Sequence, residues 1–97
     1  MRIVKQLQEL NEALASETKR SIGFVPTMGF LHDGHRSLIN ASKKKADFTV
    51  VSIFINPTQF NNPNDLENYP VSLKKDLIIL EKDEVDLVFC PDFDTLY

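Results

Sequence analysis

Ile3, Val4, Leu7, Leu10, Ala13 and Leu14 recur at helical spacing, with Gln6, Glu9, Asn11, Glu12, Glu17 and Lys19 between them. The spacing predicts an amphipathic helix from Val4 to about Lys19. Ser21-Ile22-Gly23-Phe24-Val25-Pro26 follows, a short apolar run that reads as a buried strand stopped by its proline. Thr27 to Gly34 contains two glycines and reads as a loop. From about His35 a helix runs to Lys45, with Leu38, Ile39 and Ala41 as its apolar positions. Its closing run Lys43-Lys44-Lys45 is read as a solvated end that complements the helix dipole, with phosphate binding as the alternative.

Phe48-Thr49-Val50-Val51-Ser52-Ile53-Phe54-Ile55 is the strongest strand signal. It is β-branched, aromatic and nearly apolar on both faces, as a central strand of a covered parallel sheet should be. Asn56 to Asn64 is rich in proline and asparagine and reads as a loop. Asp65 to Tyr69 allows one helical turn before Pro70. Ser72 is placed to cap a helix through Lys82, with Leu73, Leu77 and Leu80 inward. Val85-Asp86-Leu87-Val88-Phe89-Cys90 is a third strand, ended by Pro91. Alternating helices and strands predict an α/β fold, a Rossmann-like three-layer α/β/α arrangement with a parallel sheet of about three strands. In such sheets ligands bind beyond the carboxyl ends of the strands. Pro26 to His35 and Asn56 to Asn64 occupy those ends.

Composition narrows the field without changing it. The 97 residues amount to one domain, 42% hydrophobic and 26% charged, with a formal net charge of −3. A broad electrostatic grip on nucleic acid or an anionic membrane needs clustered excess Lys and Arg, so neither partner is expected. The single cysteine, Cys90, is too few for a disulfide or a zinc site. No signal-peptide core or membrane-length apolar run is present, and the expectation is a soluble cytoplasmic domain.

The candidate chemistry lies in His32-Asp33-Gly34-His35, which holds the chain's two histidines at a loop-to-helix junction after a strand. A helix N-terminus presents unpaired N–H groups and partial positive charge to a phosphate. Gly34 permits close backbone approach and Gly29 a tight turn. Two imidazoles can donate to phosphate oxygens whose charge grows in a phosphoryl- or nucleotidyl-transfer transition state. The glycine spacing matches neither the dinucleotide-binding nor the P-loop pattern. Local spacing alone leaves three readings open: phosphate chemistry, a structural or capping role, and a weak metal site. Asp33 reads as a cap or exposed loop residue, Met28 as core filler or a substrate-packing side chain, Phe60 as core. Asn56 reads as a turn residue or a ligand contact, and Gln59 as an exposed loop amide or a binding group.

The wider context adds a resemblance. Phe24-Val25-Pro26-Thr27-Met28-Gly29-Phe30-Leu31-His32-Asp33-Gly34-His35-Arg36-Ser37-Leu38 closely resembles the signature of the pantothenate synthetases, or pantoate–β-alanine ligases. Val51-Ser52-Ile53-Phe54-Ile55-Asn56-Pro57-Thr58-Gln59-Phe60 resembles the family's second signature. Asp65-Leu66-Glu67-Asn68-Tyr69-Pro70, Asp76-Leu77 and Val85 to Phe89 continue the match in order. The His-x-Gly-His pattern by itself is shared by a wider nucleotidyltransferase superfamily.

The resemblance implies a ligase that joins pantoate to β-alanine with ATP and Mg²⁺, through pantoyl adenylate, releasing AMP and pyrophosphate. Met28, Gly29, Phe30, Leu31, His32, Asp33, Gly34 and His35 would line the ATP site. His32 and His35 would be the catalytic pair, with His35 the proton donor. Gln59 and Met28 would contact pantoate and β-alanine, no side chain is assigned as a metal ligand, and the enzyme would be a homodimer. Many relatives carry Arg-Thr where this chain has Val71-Ser72, which removes a cation there. The family's later Lys-Asp-Tyr and Met-Ser-Ser-Arg segments have no counterpart here. Residues 1–97 are therefore expected to form the N-terminal portion of the Rossmann-like ATP/pantoate-binding domain, without turnover alone. The alternatives are a His-x-Gly-His nucleotidyltransferase with another acceptor and a non-catalytic nucleotide-binding module.

Overall fold

The computed structural model describes residues 1–17, 20–54 and 69–91. It is an α/β structure in which a parallel sheet separates helices on its two faces. The elements run β1 (Arg2–Val4), α1 (Leu7–Ala15), β2 (Ile22–Thr27), α2 (Asp33–Lys45), β3 (Phe48–Ile53), α3 (Tyr69–Lys82) and β4 (Leu87–Phe89). The four strands lie in the order β1-β4-β3-β2, every pair parallel.

The chain crosses from β1 to the far edge at β2, then returns through β3 to β4. Right-handed crossovers in opposite directions put the connecting helices on opposite faces. The packing agrees. Ile39 of α2 and Leu80 of α3 meet Val25, Val51, Ile53 and Val88 on one face, together with Val85 and Cys90. On the other face Ala13, Leu10 and Leu14 of α1 meet Val4, Val50 and Leu87, with Phe48 and Phe89 alongside. Alternate residues of β3 and β4 thus serve opposite cores, as the two-residue period of a strand requires. Burying one such Ile or Leu contributes about 1.5–3 kcal/mol.

The amino terminus departs from its predicted helix. Arg2–Val4 is a strand paired to β4, with Val4 opposite Phe89, and the helix begins only at Leu7. Ile3 and Val4 fit a helical stripe equally well. Their β-branched side chains also suit a strand, and β4 offers a vacant edge. Arg2 N–H donates to the Asp86 carbonyl at 3.0 Å and Cys90 N–H to the Val4 carbonyl at 2.9 Å, which closes the pairing. The sheet has four strands rather than three for this reason.

Pro26 does not stop β2 but sits inside it, opposite Ser52. Among the described residues β2 pairs on one side only, with β3, and a strand position whose N–H faces away from its partner tolerates proline. Ser72 does not cap α3, which starts at Tyr69 and contains it. The inward Leu73, Leu77 and Leu80 are as expected, with Leu80 fully buried. α3 closes with Val85 N–H on the Leu80 carbonyl and Glu84 N–H on the Glu81 carbonyl, both at 3.1 Å, around a left-handed Glu84 (φ 61°). Of the lysine run, Lys43 donates from Nζ to the Glu84 carbonyl. It serves the end of the neighbouring helix. The predicted loop from Asn56 to Asn64 and the turn from Asp65 lie outside the described residues, apart from Tyr69.

Candidate functional site at the β2–α2 junction

β2 and β3 end side by side, and their carboxyl ends open into a cleft of about 310 Å³ lined by Pro26, Thr27, Met28, His35, Ser52 and Phe54. Thr27 sets its floor. Its buried hydroxyl donates to the Ser52 carbonyl at 2.9 Å and accepts from Gly29 N–H at 3.2 Å. One side chain therefore ties β2 to β3 and starts the turn that follows.

That turn is costly. Gly29 and Phe30 both lie in the left-handed region, at φ 83° and 53°. Glycine is free to do so, but for phenylalanine the conformation costs roughly 1–2 kcal/mol. It persists because Asp76, on α3, accepts from the Phe30 N–H with Oδ2 and from the Leu31 N–H with Oδ1, each at 2.9 Å. Asp76 is 3% exposed. Leu31 then packs against the α2/α3 core and delivers the chain to the helix.

At the start of α2 the two histidines cap the helix reciprocally. His32 is the N-cap, and its Nδ1 accepts from Gly34 N–H at 3.0 Å. His35 Nδ1 accepts from the His32 N–H at 3.2 Å. A ring that accepts through Nδ1 is neutral and carries its proton on Nε2. Both imidazoles therefore hold an Nε2–H across the ring from the backbone, their centroids 4.1 Å apart. Burial, and then the neighbouring His32, push the His35 pKa below its ordinary value, while Asp76 opposes them. A Cβ on Gly34 would lie 2.8 Å from His32 Cε1 and 3.1 Å from Nδ1, so even alanine would displace the capping ring. The arrangement offers an anion two N–H donors beside a positive helix end.

Arg36 is committed elsewhere. It forms a two-pronged pair with Asp83, Nε to Oδ2 at 2.9 Å and a terminal nitrogen to Oδ1 at 2.7 Å. The hydrogen bond from Arg36 holds the Asp83 carboxyl below the usual carboxylate range.

Of the residues expected at the site, Met28 stands exposed on the cleft wall and shares it with His35. Gly29, Phe30, Leu31, His32, Asp33 and Gly34 form the turn and cap beside it. Asp33 is the first helical residue rather than the cap. Gln59, Asn56 and Phe60 lie outside the described residues. Sequence reasoning gave no role to Asp76, Thr27 or Ser52. For Asp76 a signal existed: it stands three residues after Leu73 and four before Leu80, a carboxylate on the buried stripe of its helix. Among the described residues no group of three His, Cys, Asp or Glu side chains is placed to hold a metal ion, and no helix is long and apolar enough to cross a membrane.

Residues 2–97 match the family model described as pantoate-beta-alanine ligase. A pantothenate synthetase of Thermosipho africanus is 48% identical over the whole chain, and one of Francisella philomiragia is 52% identical. The chain spans 36% and 38% of their lengths. Its fold superposes on the crystal structure of a Francisella tularensis pantoate-beta-alanine ligase complexed with beta-gamma ATP and beta-alanine, with a TM-score of 0.83 and 46% identity. The pantothenate synthetase of Thermus thermophilus superposes with a TM-score of 0.79 and 39% identity. These structures are covered to 38% and 34% by this chain. With nearly every residue inside the family model, the chain belongs to the pantoate-beta-alanine ligase family.

Proposed function

We propose that this chain supplies the nucleotide side of an ATP-dependent ligase that condenses pantoate with β-alanine to pantothenate. The observation that carries the reading is the reciprocal histidine cap, which leaves two Nε2–H donors at a helix N-terminus beside the cleft at the strand ends. In the first step the pantoate carboxylate attacks the α-phosphorus of ATP, forming pantoyl adenylate and expelling pyrophosphate. In the second the β-alanine amine attacks the acyl carbon, forms the amide and expels AMP. A carboxylate is a weak nucleophile and the α-phosphorus is shielded by negative charge, so positioning and charge stabilisation are the main needs.

His32 and His35 meet the second need by donating from Nε2 to phosphate oxygens, with His35 as the proton donor. Gly29 to Gly34 bring the backbone close, and Met28 packs on substrate at the cleft wall. Gln59 is assigned to the pantoate and β-alanine pocket on the family pattern. Mg²⁺, if bound with ATP, would neutralise phosphate charge, and none of the described side chains is assigned to hold it. The chain supplies the part of the nucleotide domain that carries the histidine cap. A cytoplasmic homodimer completes the reading. The homodimer is carried over from the family that the chain matches.

The test is an assay of the gene product that contains this chain. AMP release should depend on ATP, pantoate and β-alanine together. His35→Ala should lower kcat by roughly 10²-fold or more. Turnover with a different acceptor or nucleotide would favour another His-x-Gly-His nucleotidyltransferase, and unchanged turnover in the variant would remove His35 from the mechanism.

A further inference from the structure

We propose that Asp76 is a positioning residue of the nucleotide site, holding the Gly29–Phe30 turn, and with it the histidine cap, in ligand-binding geometry from a helix more than forty residues away in sequence. The inference rests on the ligase reading for the identity of the ligand, but not for the positioning itself.

Two consecutive N–H groups, those of Phe30 and Leu31, converge on one buried carboxylate, and each of its oxygens takes one of them. Successive backbone N–H groups of this kind form a concavity suited to an anion. Here the protein fills it with its own side chain. The turn is thus braced from beneath, while the Nε2–H donors of His32 and His35 remain for a ligand arriving from solvent. Only a short, doubly accepting side chain fits the role. Asparagine has the same shape, yet its NH₂ group would face one of the two N–H donors. The braced segment is also the one that needs a brace, because Phe30 is held left-handed with no glycine to make that free. Thr27 anchors the same turn at its other end through the Gly29 N–H.

A second effect has the same source. Among the described residues, the charged or titratable groups facing His35 are His32, from the cap of its own helix, and Asp76, from α3. The Asp76 carboxylate favours a proton on His35, whereas burial and His32 oppose one. A residue that merely filled space would have no such influence.

Nuclear magnetic resonance on the gene product that contains this chain tests both effects. In the wild type the Phe30 and Leu31 amides should exchange with solvent at least roughly tenfold more slowly than in a free peptide, although they lie outside helix and strand. In Asp76→Asn that protection should fall by roughly tenfold, and the titration midpoint of His35 should move down, while the Val51 and Val88 amides keep their protection. Free-peptide exchange at Phe30 and Leu31 in the wild type would overturn the proposal. So would a variant that leaves both the protection and the His35 midpoint unchanged. If the variant does not fold, the wild-type exchange rates decide. Neither readout involves a nucleotide. Failure of the ligase reading would show as no AMP release from the gene product, with the brace at Phe30 and Leu31 still detectable.

Discussion

Two strand-to-helix junctions lie at the carboxyl ends of this parallel sheet and are built in opposite ways. Between β1 and α1 the chain needs only Lys5 and Gln6. Gln6 is extended at φ −107° and ψ 142°, and its side chain caps nothing. Between β2 and α2 five residues intervene, Met28 to His32. They include two left-handed residues and are held by the Thr27 hydroxyl, the buried Asp76 carboxylate and a reciprocal cap between His32 and His35. The first junction shows how little this fold needs to turn a corner. The excess at the second is therefore not explained by folding. It fixes the direction of two imidazoles, the geometry on which the proposed nucleotide site rests.

The comparison can be broken most severely at Thr27. Thr27→Val keeps the shape but removes the hydroxyl, leaving the Gly29 N–H and the Ser52 carbonyl without this partner. Chemical denaturation should show a loss of about 1–3 kcal/mol. Lys5→Ala at the plain junction should change stability by less than about 0.5 kcal/mol. Equal losses at the two sites would erase the distinction.

A smaller effect should come from enriching the plain junction. Gln6→Ser places a serine at the N-cap of α1 with Glu9 three residues on, the pattern of a capping box. Thermal melting should show a gain of about 0.5–1 kcal/mol, with turnover of the gene product unchanged. A change in turnover would mean that the first junction also serves the site.

The smallest effect is one of pH. Native His35 resists protonation, chiefly through burial, whereas in the unfolded chain it titrates near 6.5. Between those two values the unfolded state binds more protons, so stability is full above about pH 6.5 and declines as pH falls below it. Melting temperatures from pH 8 to 5 should show this decline, and it should vanish in His35→Gln. Asp83 gives a separate step at lower pH. Its carboxyl is held below 3.8 by Arg36, so its contribution is present above that value and lost as pH falls through the native one. A decline that persists unchanged without His35 would locate the titration elsewhere.

Legibility in the sequence followed the range of the interactions involved. The β3 run Phe48 to Ile53 and the α3 positions Leu73, Leu77 and Leu80 were readable because their patterns are local and periodic. The His-x-Gly-His segment was readable as a junction, and its resemblance to a family signature gave it a chemistry. β1 was not readable. Three residues carry no period long enough to separate strand from helix, and their pairing with β4 spans most of the chain. The acceptance of Pro26 within β2 was also hidden, because it depends on how β2 pairs with β3.

The sequence by itself determined the alternation of helices and strands, the two apolar faces of β3, and the placing of both histidines after a strand. Those are consequences of spacing and residue type along one stretch of chain. The folded structure decided the strand order, the fourth strand, the Nδ1-accepting geometry of both imidazoles and the two hydrogen bonds of Asp76. Each of those depends on where a partner from a distant segment, or a neighbouring ring and amide, comes to rest, because a hydrogen bond forms only when donor and acceptor lie within about 3 Å in aligned geometry.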